Sequence, residues 1–115
     1  MGSTPRFLQG VFAFKGTGLD DPQPIDVSTS YTVPSGIIAQ PLYFRGGNSS
    51  GELVVVTLLR DGAPMRIFPM GARSSVNVPL RVVEDVDPDV VLELVIAAPA
   101  GCTGEVVVDF GLMEI

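Results

Sequence analysis

The feature that most constrains the fold of this chain is the stretch of residues 52–71, ELVVVTLLRDGAPMRIFPMG, which has the pattern of a β-hairpin. Its first arm is almost wholly β-branched or aliphatic, which is typical of strands, and three consecutive valines argue against a helix. Asp61-Gly62 follows at once, and this dipeptide tolerates the positive φ angles of a tight hairpin turn. Pro64 marks the start of the return arm, because it cannot donate a hydrogen bond to a neighbouring strand.

The first arm of this hairpin has no polar face. In a small antiparallel domain, one set of alternating side chains enters the core and the other set normally meets water. Leaving three valine or leucine side chains in water forgoes roughly 1.5–3 kcal/mol each, a sum that approaches the net stability of a typical domain, about 5–15 kcal/mol. We therefore expect another subunit to cover the outward set, which we assign to Val54, Val56 and Leu58.

The rest of the chain repeats the same kind of short apolar segment between turns rich in glycine and proline. No segment has a convincing helical pattern, and 115 residues suffice for one domain with a real core. We predict an all-β fold, an antiparallel β-sandwich or jelly roll of about eight strands, in which residues 1–5 form a flexible tail and residues 6–115 a single domain. The predicted strands outside the hairpin cover residues 7–15, 30–33, 37–45, 76–83, 90–98 and 105–115.

Charge and composition exclude several classes of function. The net charge is −6, and no basic patch with interleaved aromatic residues appears, which disfavours binding to nucleic acid or to an anionic membrane. No apolar run is long enough to span a bilayer and no secretory leader is evident, so we expect a cytoplasmic or virion-associated protein. Charged residues make up only 17%, against roughly 25% in soluble domains, and this deficit again favours assembly.

The chain contains no histidine and a single cysteine, Cys102. Histidine is the usual general base and the commonest metal ligand, and one thiol can form neither an intrachain disulfide nor a multi-thiolate metal site. No positive charge or base lies beside Cys102 to activate it. We therefore expect neither an enzyme nor a cofactor.

An acidic loop provides the one candidate metal site. Asp85, Asp87 and Asp89 place carboxylates at alternate positions, which suits a hard cation such as Ca²⁺. The loop lacks the glycine and the distal glutamate of an EF-hand, so a solvated acidic turn is the favoured interpretation.

Arginines in the middle of the chain allow two interpretations. Guanidinium groups bind planar anions through paired hydrogen bonds, so the arginines could form an anion site. The favoured alternative is that they form ion pairs with acidic residues on neighbouring strands or subunits. The residues concerned are Arg45, Arg60, Arg66, Arg73 and Arg81.

The C-terminal strands resemble those of a known family. Residues 104–115, GEVVVDFGLMEI, contain the motif Phe110-Gly111-Leu112-Met113, and residues 89–96, DVVLELVI, precede them. Both segments resemble the closing strands of tumour-necrosis-factor-like (TNF/C1q-type) jelly-roll trimers. The resemblance implies a homotrimer whose last strands lie near the threefold axis. Together with Val54, Val56 and Leu58, the predicted oligomer interface then comprises Val106, Val108, Phe110, Leu112, Met113 and Ile115.

The leading functional hypothesis is a non-enzymatic structural or binding module that forms a symmetric homo-oligomer, with a trimer favoured. Its expected class is a capsid-decorating, spike or surface-assembly protein, whose partners are copies of itself and a larger assembly such as a capsid. One alternative is a small accessory subunit docked on a larger enzyme complex. Another is a metal-assisted domain that binds a small ligand or a sugar through the acidic loop.

Overall fold

The computed structural model describes residues 3–80 and 84–115. In this part of the chain, nine strands account for the fold, and the one helical element is a three-residue 3-10 turn, Val27–Thr29. The strands are β1 (Thr4–Lys15), β2 (Gln23–Pro24), β3 (Ser30–Thr32), β4 (Ala39–Asn48), β5 (Val54–Arg60), β6 (Ala63–Met70), β7 (Ser75–Pro79), β8 (Val91–Ala97) and β9 (Thr103–Glu114).

The strands form two antiparallel sheets packed face to face. The four-stranded sheet has the order β1-β9-β4-β7, and the five-stranded sheet has the order β2-β8-β5-β6, with β3 also pairing with β8. Because successive strands mostly alternate between the sheets, the topology is that of a jelly roll. The predicted all-β sandwich is confirmed. Strand β1 begins at Thr4, so it includes the last two residues of the expected tail.

The central hairpin forms where the sequence predicts it. Strands β5 and β6 pair along their length and meet at Asp61 and Gly62, whose φ angles are 48° and 82°. Those positive values are what a tight hairpin turn requires. The register shifts between Leu58 and Leu59, where the ladder reaches Pro64. The proline therefore produces a bulge just inside the turn.

Two further prolines mark the ends or irregularities of strands. Strand β4 has a register shift between Pro41 and Tyr43, as expected for a proline inside a strand, although β4 lies between β9 and β7 and is not an edge strand. Strand β7 ends at Pro79. The strand predicted from the sequence covers residues 76–83, and its last three residues, 81–83, lie outside the described part of the chain.

The core fills the space between the sheets with aliphatic and aromatic side chains. From the four-stranded sheet, Phe44 on β4 stacks on Phe68 of β6 in the other sheet, with ring centroids 4.1 Å apart and planes 7° from parallel. Strands β5 and β9 supply most of the remaining fully buried aliphatic side chains. Strand β5 and most of β9 thus bury one set of alternating side chains, as a sandwich requires.

A cluster of polar side chains joins the two sheets at one edge of this core. Tyr31 on β3 donates a hydrogen bond from its hydroxyl to Oε2 of Glu114 on β9, at 2.5 Å, and Arg6 Nε lies 3.1 Å from Oε1 of the same carboxylate. Glu114 is only 6% exposed, so it is buried with both oxygens paired. The Tyr31 hydrogen bond, followed by Arg6, lowers the pKa of Glu114 despite its desolvation, and burial together with the Glu114 carboxylate raises the pKa of Tyr31.

Candidate functional site

The structure corrects most of the predicted oligomer interface. Seven of its nine residues lie in the core between the sheets, at 0–1% exposure, and the prediction that they form an outer surface is wrong. For β9 the physical reason is that charged residues, Glu105 and Asp109, occupy outward positions. Strand β5 is apolar on both faces apart from Thr57, and it buries the set of side chains opposite to the one expected. The seven buried residues are Val54, Val56, Leu58, Val106, Val108, Phe110 and Leu112.

Two members of the predicted interface lie outside this core. Met113 is half-buried, and Ile115 is 49% exposed. These two residues alone do not make a continuous apolar surface. The homotrimer and its place in a capsid therefore stay predictions, and they would need a different surface from the one expected.

The acidic loop does not form the candidate calcium site. Within the described residues, no three acidic, cysteine or histidine side chains are gathered in a way that could hold a metal ion, and this includes Asp85, Asp87 and Asp89. Asp85 instead accepts a hydrogen bond from Gln40 Nε2 at 2.8 Å. Asp89 adopts a φ of 71° in the turn before β8.

The middle arginines split between ion pairs and another role. Arg66 and Arg60 lie 2.7 Å and 3.7 Å from the carboxylate oxygens of Glu84, which agrees with the favoured ion-pair interpretation. Arg81 lies outside the described residues. Arg45 is different, because its guanidinium carbon lies 4.8 Å from the centre of the Tyr43 ring on the outer surface of the four-stranded sheet.

That outer surface, which we call the four-strand face, carries side chains in ordered rows across the strands. The pairing registers bring residues from β1, β9, β4 and β7 side by side. The first row, which we call the aromatic row, consists of Phe7, Gly111, Tyr43 and Pro79. The polar row lies beside it and consists of Gln9, Asp109, Arg45 and Asn77. The third row consists of Val11, Val107, Gly47 and Ser75.

Tyr43 lies flat across β9 because residue 111 is glycine. A Cβ at position 111 would come within 2.6 Å of Cζ of the Tyr43 ring and closer still to Cε2, so no other residue fits beneath this ring without moving it. The Tyr43 hydroxyl then reaches into the polar row and donates a hydrogen bond to Asp109 Oδ1 at 2.9 Å. The ring is thus held in place at both ends.

The polar row keeps hydrogen-bonding capacity open to a ligand. In residues 3–80 and 84–115, the Tyr43 hydroxyl is the one hydrogen-bond donor to the Asp109 carboxylate, and the Arg45 side chain makes no hydrogen bond or ion pair. Partial burial, then the Asp109 hydrogen bond, raises the pKa of Tyr43. A carboxylate, a guanidinium and two amides can therefore exchange hydrogen bonds with a bound molecule.

A shallow groove runs along β1 and β9, over the polar row and the third row. Its volume is about 410 Å³, and it is open to solvent. Two further cavities are smaller: one of about 170 Å³ at the open edge between β1 and β2, and one of about 10 Å³ near Arg66, which holds no more than a water molecule. The groove on the four-strand face is lined by Gln9, Gly10, Val11, Val107, Val108 and Asp109.

Sequence reasoning did not identify this site. Arg45 was considered in a possible anion site, but Tyr43, Asp109 and Gln9 were not singled out. One signal was present in β9, where Glu105, Asp109 and Gly111 interrupt the apolar residues at every second or fourth position and so indicate an outer face. The pairing of β9 with β4 across 66 residues of sequence, which brings Tyr43 to Asp109, carries no local signal.

Comparisons with known proteins bear on the fold. No family model matches the sequence, and no curated protein matches it. Among solved structures, the chain is similar to the CBM36-1 domain of a multidomain xylanase from the hindgut metagenome of Trinervitermes trinervoides, with a TM-score of 0.52 and 16% sequence identity over 96% of each chain. At that identity, the similarity is one of fold. The described residues include no helix with the length and hydropathy of a membrane span.

Proposed function

We propose that this chain is a non-catalytic binding module that recognises a carbohydrate on its four-strand face. The observation that carries the proposal is the arrangement of Tyr43, Gly111, Asp109 and Arg45. The Tyr43 ring lies across Gly111, the Arg45 guanidinium carbon lies 4.8 Å from the ring centre, and the Tyr43 hydroxyl binds one oxygen of Asp109. The similarity in fold to a domain of a xylanase supports the same class of ligand.

The chemistry of a sugar ring matches that arrangement. A pyranose presents C–H groups on its faces, which pack against aromatic rings, and hydroxyl groups around its rim, which both donate and accept hydrogen bonds. Phe7 is 51% exposed and lies on β1 beside Gly111, so it adjoins the part of β9 that the Tyr43 ring covers. Asp109 accepts from hydroxyl groups, Arg45 donates to them, and Gln9 does both.

The openness of the groove favours a polymer over a small molecule. Small-molecule sites usually enclose most of their ligand, whereas the groove beside β9 is shallow and lies on an exposed sheet. A chain of sugars can lie along such a surface and contact several rows in succession. The absence of histidine from the sequence leaves this surface without the commonest acid–base group, which suits binding without chemistry.

The test compares two alanine variants on the same face. Gly111→Ala displaces the Tyr43 ring, whereas in Gly47→Ala the new Cβ meets Val107 at 3.6 Å, an ordinary contact. Affinity for a panel of soluble polysaccharides, including xylan and mixed-linkage glucan, is measured by affinity electrophoresis and calorimetry. We expect Gly111→Ala to weaken binding about tenfold or more, equivalent to about 1.4 kcal/mol, and Gly47→Ala to bind as the wild type does.

Two results would contradict the proposal. One is that no polysaccharide in the panel binds the wild-type protein. The other is that both glycine variants bind equally well while circular dichroism shows both to be folded, since the Tyr43 ring would then have no part in recognition.

A further inference from the structure

Strand β1 forms one edge of the four-stranded sheet, and it differs from the other edges in having no protection. It pairs with β9 over all twelve of its residues without a register shift, and no strand among residues 3–80 and 84–115 pairs with its other side. Residues 7–14 carry no charge, and the one proline of the strand, Pro5, lies near its start. A long, regular and uncharged edge of this kind is a template for pairing with another strand.

The other edges in the described part of the chain carry features that block pairing. Strand β6 contains Pro64, Arg66 and Pro69, and a bulge distorts its ladder with β5. Strand β7 has five residues and ends in a proline. Strands β2 and β3 have two and three residues. Prolines, charges, bulges and short length are the means by which proteins prevent edge-to-edge association.

Hydrogen-bond geometry identifies which backbone groups of β1 are free. The Gly16 N–H donates to the Cys102 carbonyl oxygen at 2.6 Å, and Ile38 and Ile115 exchange hydrogen bonds at 3.0 Å and 2.8 Å. Because bonded and non-bonded pairs alternate along an antiparallel ladder, the even-numbered residues of β1 bond to β9 and the odd-numbered residues turn their backbone groups outward. The outward residues are Pro5, Phe7, Gln9, Val11, Ala13 and Lys15.

Most side chains between Phe7 and Phe14 are also apolar, on both faces of the edge. Phe7 and Val11 are 51% and 65% exposed on the four-strand face. On the inner face, Phe12 and Phe14 are only half-buried, because the five-stranded sheet opposite them ends in the short strand β2. A cavity of about 170 Å³ opens at that point, lined in part by Phe14. Backbone and side chains alike are thus incompletely covered along this edge.

We propose that the β1 edge pairs with the β1 edge of a second copy of this chain, in antiparallel orientation about a twofold axis. A partner strand must itself have a free, regular edge, and β1 is the edge of the described chain that meets this condition. Pairing two copies satisfies both edges at once and closes the assembly. Two outward sets of backbone groups of this length form on the order of ten hydrogen bonds, as many as a typical stable interface contains.

The charges along β1 permit a second copy as the occupant. Each chain carries a net charge of −6, so most surfaces of two copies repel one another. The central part of β1 has no charged residue, and the nearest charges on the strand are the cations Arg6 and Lys15 at its two ends. Two copies can therefore meet along β1 without bringing acidic groups together.

The pairing has a geometric consequence for the four-strand face. Outward backbone groups and outer-face side chains belong to the same odd-numbered residues, so Gln9 and Val11 of each copy lie on the same side of the joined sheet. The dimer then has one continuous eight-stranded sheet with two four-strand faces side by side. A polymeric ligand that contacts both faces would gain avidity without any new contact. The dimer itself does not depend on the proposed function.

Light scattering of the purified protein at micromolar concentrations tests the proposal, with one variant at each edge of the sheet. Val11→Pro removes an outward N–H from the middle of β1 without removing a bond to β9. Ser75→Pro is the matched control on β7, since Asn48 and Ser74 form a bonded pair and the backbone of Ser75 therefore also turns outward. We expect a dimer for the wild type and Ser75→Pro, and a monomer for Val11→Pro.

A second variant keeps the test decisive if Val11→Pro fails to fold. Ala13→Pro removes a different outward N–H, at an exposed position two residues further along β1, and again removes no bond to β9, so it too should be monomeric. Amide hydrogen exchange should show the N–H groups of Gln9 and Val11 protected in the wild type and exposed in Ala13→Pro. A wild-type monomer, a trimer, or a dimer that persists in a folded Ala13→Pro variant would overturn the proposal.

Discussion

Two tyrosine–carboxylate–arginine groups occur in this domain, one between the sheets and one on an outer face. In the first, Tyr31 and Arg6 each bind a different oxygen of Glu114, and the carboxylate is buried. In the second, Tyr43 binds one oxygen of Asp109, and Arg45 lies over the tyrosine ring and not against the carboxylate. Both groups combine a tyrosine, a carboxylate and an arginine, but they differ in the hydrogen-bonding groups that they leave available to a ligand.

The difference teaches how to separate a structural polar cluster from a binding site. The Tyr31 group uses its hydrogen-bonding capacity internally and connects β3 to β9, so its effect is on stability. The Tyr43 group leaves an acceptor on Asp109 and the donors of the Arg45 side chain without protein partners, and the exposed Phe7 side chain lies near them. A polar cluster that is satisfied and buried stabilises a fold, whereas one that is anchored but incompletely satisfied can recognise a ligand.

The comparison depends on which side chains of each strand point into the core, and a test of this point in β5 should give the largest change in stability. Leu58 is fully buried in the core, whereas its neighbour Leu59 faces outward and is half-buried. Leu58→Ala should lower the free energy of unfolding by about 2–5 kcal/mol, because it leaves a cavity in the core. Leu59→Ala should lower it by about 1 kcal/mol or less. Urea denaturation measures both. Reversed losses would show that β5 has the opposite face inward, and equal losses would show that neither face is preferred in the core.

The two tyrosines themselves should differ in a smaller but measurable way. Tyr31→Phe removes a hydrogen bond from the buried carboxylate of Glu114, and we expect the melting temperature to fall by about 4 °C or more. Tyr43→Phe removes a hydrogen bond from a carboxylate that water can reach, and we expect a fall of about 2 °C or less. Calorimetry of the two variants checks the order, and a larger loss in Tyr43→Phe would reverse the assignment of roles.

The smallest expected effect is a change in the pH dependence of stability. The pKa of Glu114 is lower in the folded protein than its ordinary value, so the folded state binds fewer protons in the acid range. Its contribution is present above about pH 4.3, the ordinary pKa of glutamate, and is lost as the pH falls through the folded pKa. Melting temperatures between pH 7 and pH 3 should fall less steeply in Glu114→Gln than in the wild type.

Some acid dependence should remain in that variant. The pKa of Asp26 is also lowered, mainly by the hydrogen bond from the Ser28 hydroxyl, and it contributes in the same direction. If the melting temperatures of Glu114→Gln and the wild type fall equally steeply with pH, protonation of Glu114 does not affect stability.

The sequence predicted the architecture well because the deciding signals are local. Asp61-Gly62 specifies a tight turn by its tolerance of positive φ, and the interruption of strand β4 at Pro41 follows from the missing N–H. The face of β5 that points into the core was not predictable in the same way. Its residues on both faces are apolar, and a shift of one residue exchanges the two faces without any change in local pattern.

The site was not predicted because it depends on contacts between distant strands. Gly111 matters only because β4 pairs with β9 in the register that lays Tyr43 over it, and Gln9 joins the polar row only through the β1–β9 ladder. The sequence pattern around Phe110-Gly111 instead suggested a trimer axis. In the structure, Phe110 is a fully buried core residue, and its neighbour Gly111 lies beneath the Tyr43 ring.

The most direct test of the proposed function is nuclear magnetic resonance mapping with a polysaccharide fragment. The fragment is a soluble oligosaccharide of whichever polysaccharide binds in the panel, added stepwise to the ¹⁵N-labelled protein. Amide shifts should concentrate on the four-strand face, at Arg45, Val107, Asp109 and Gly111, while Thr57 and Ile67 on the opposite sheet stay unchanged. Shifts confined to the five-stranded sheet or to the loops at one end of the sandwich would contradict recognition on the four-strand face.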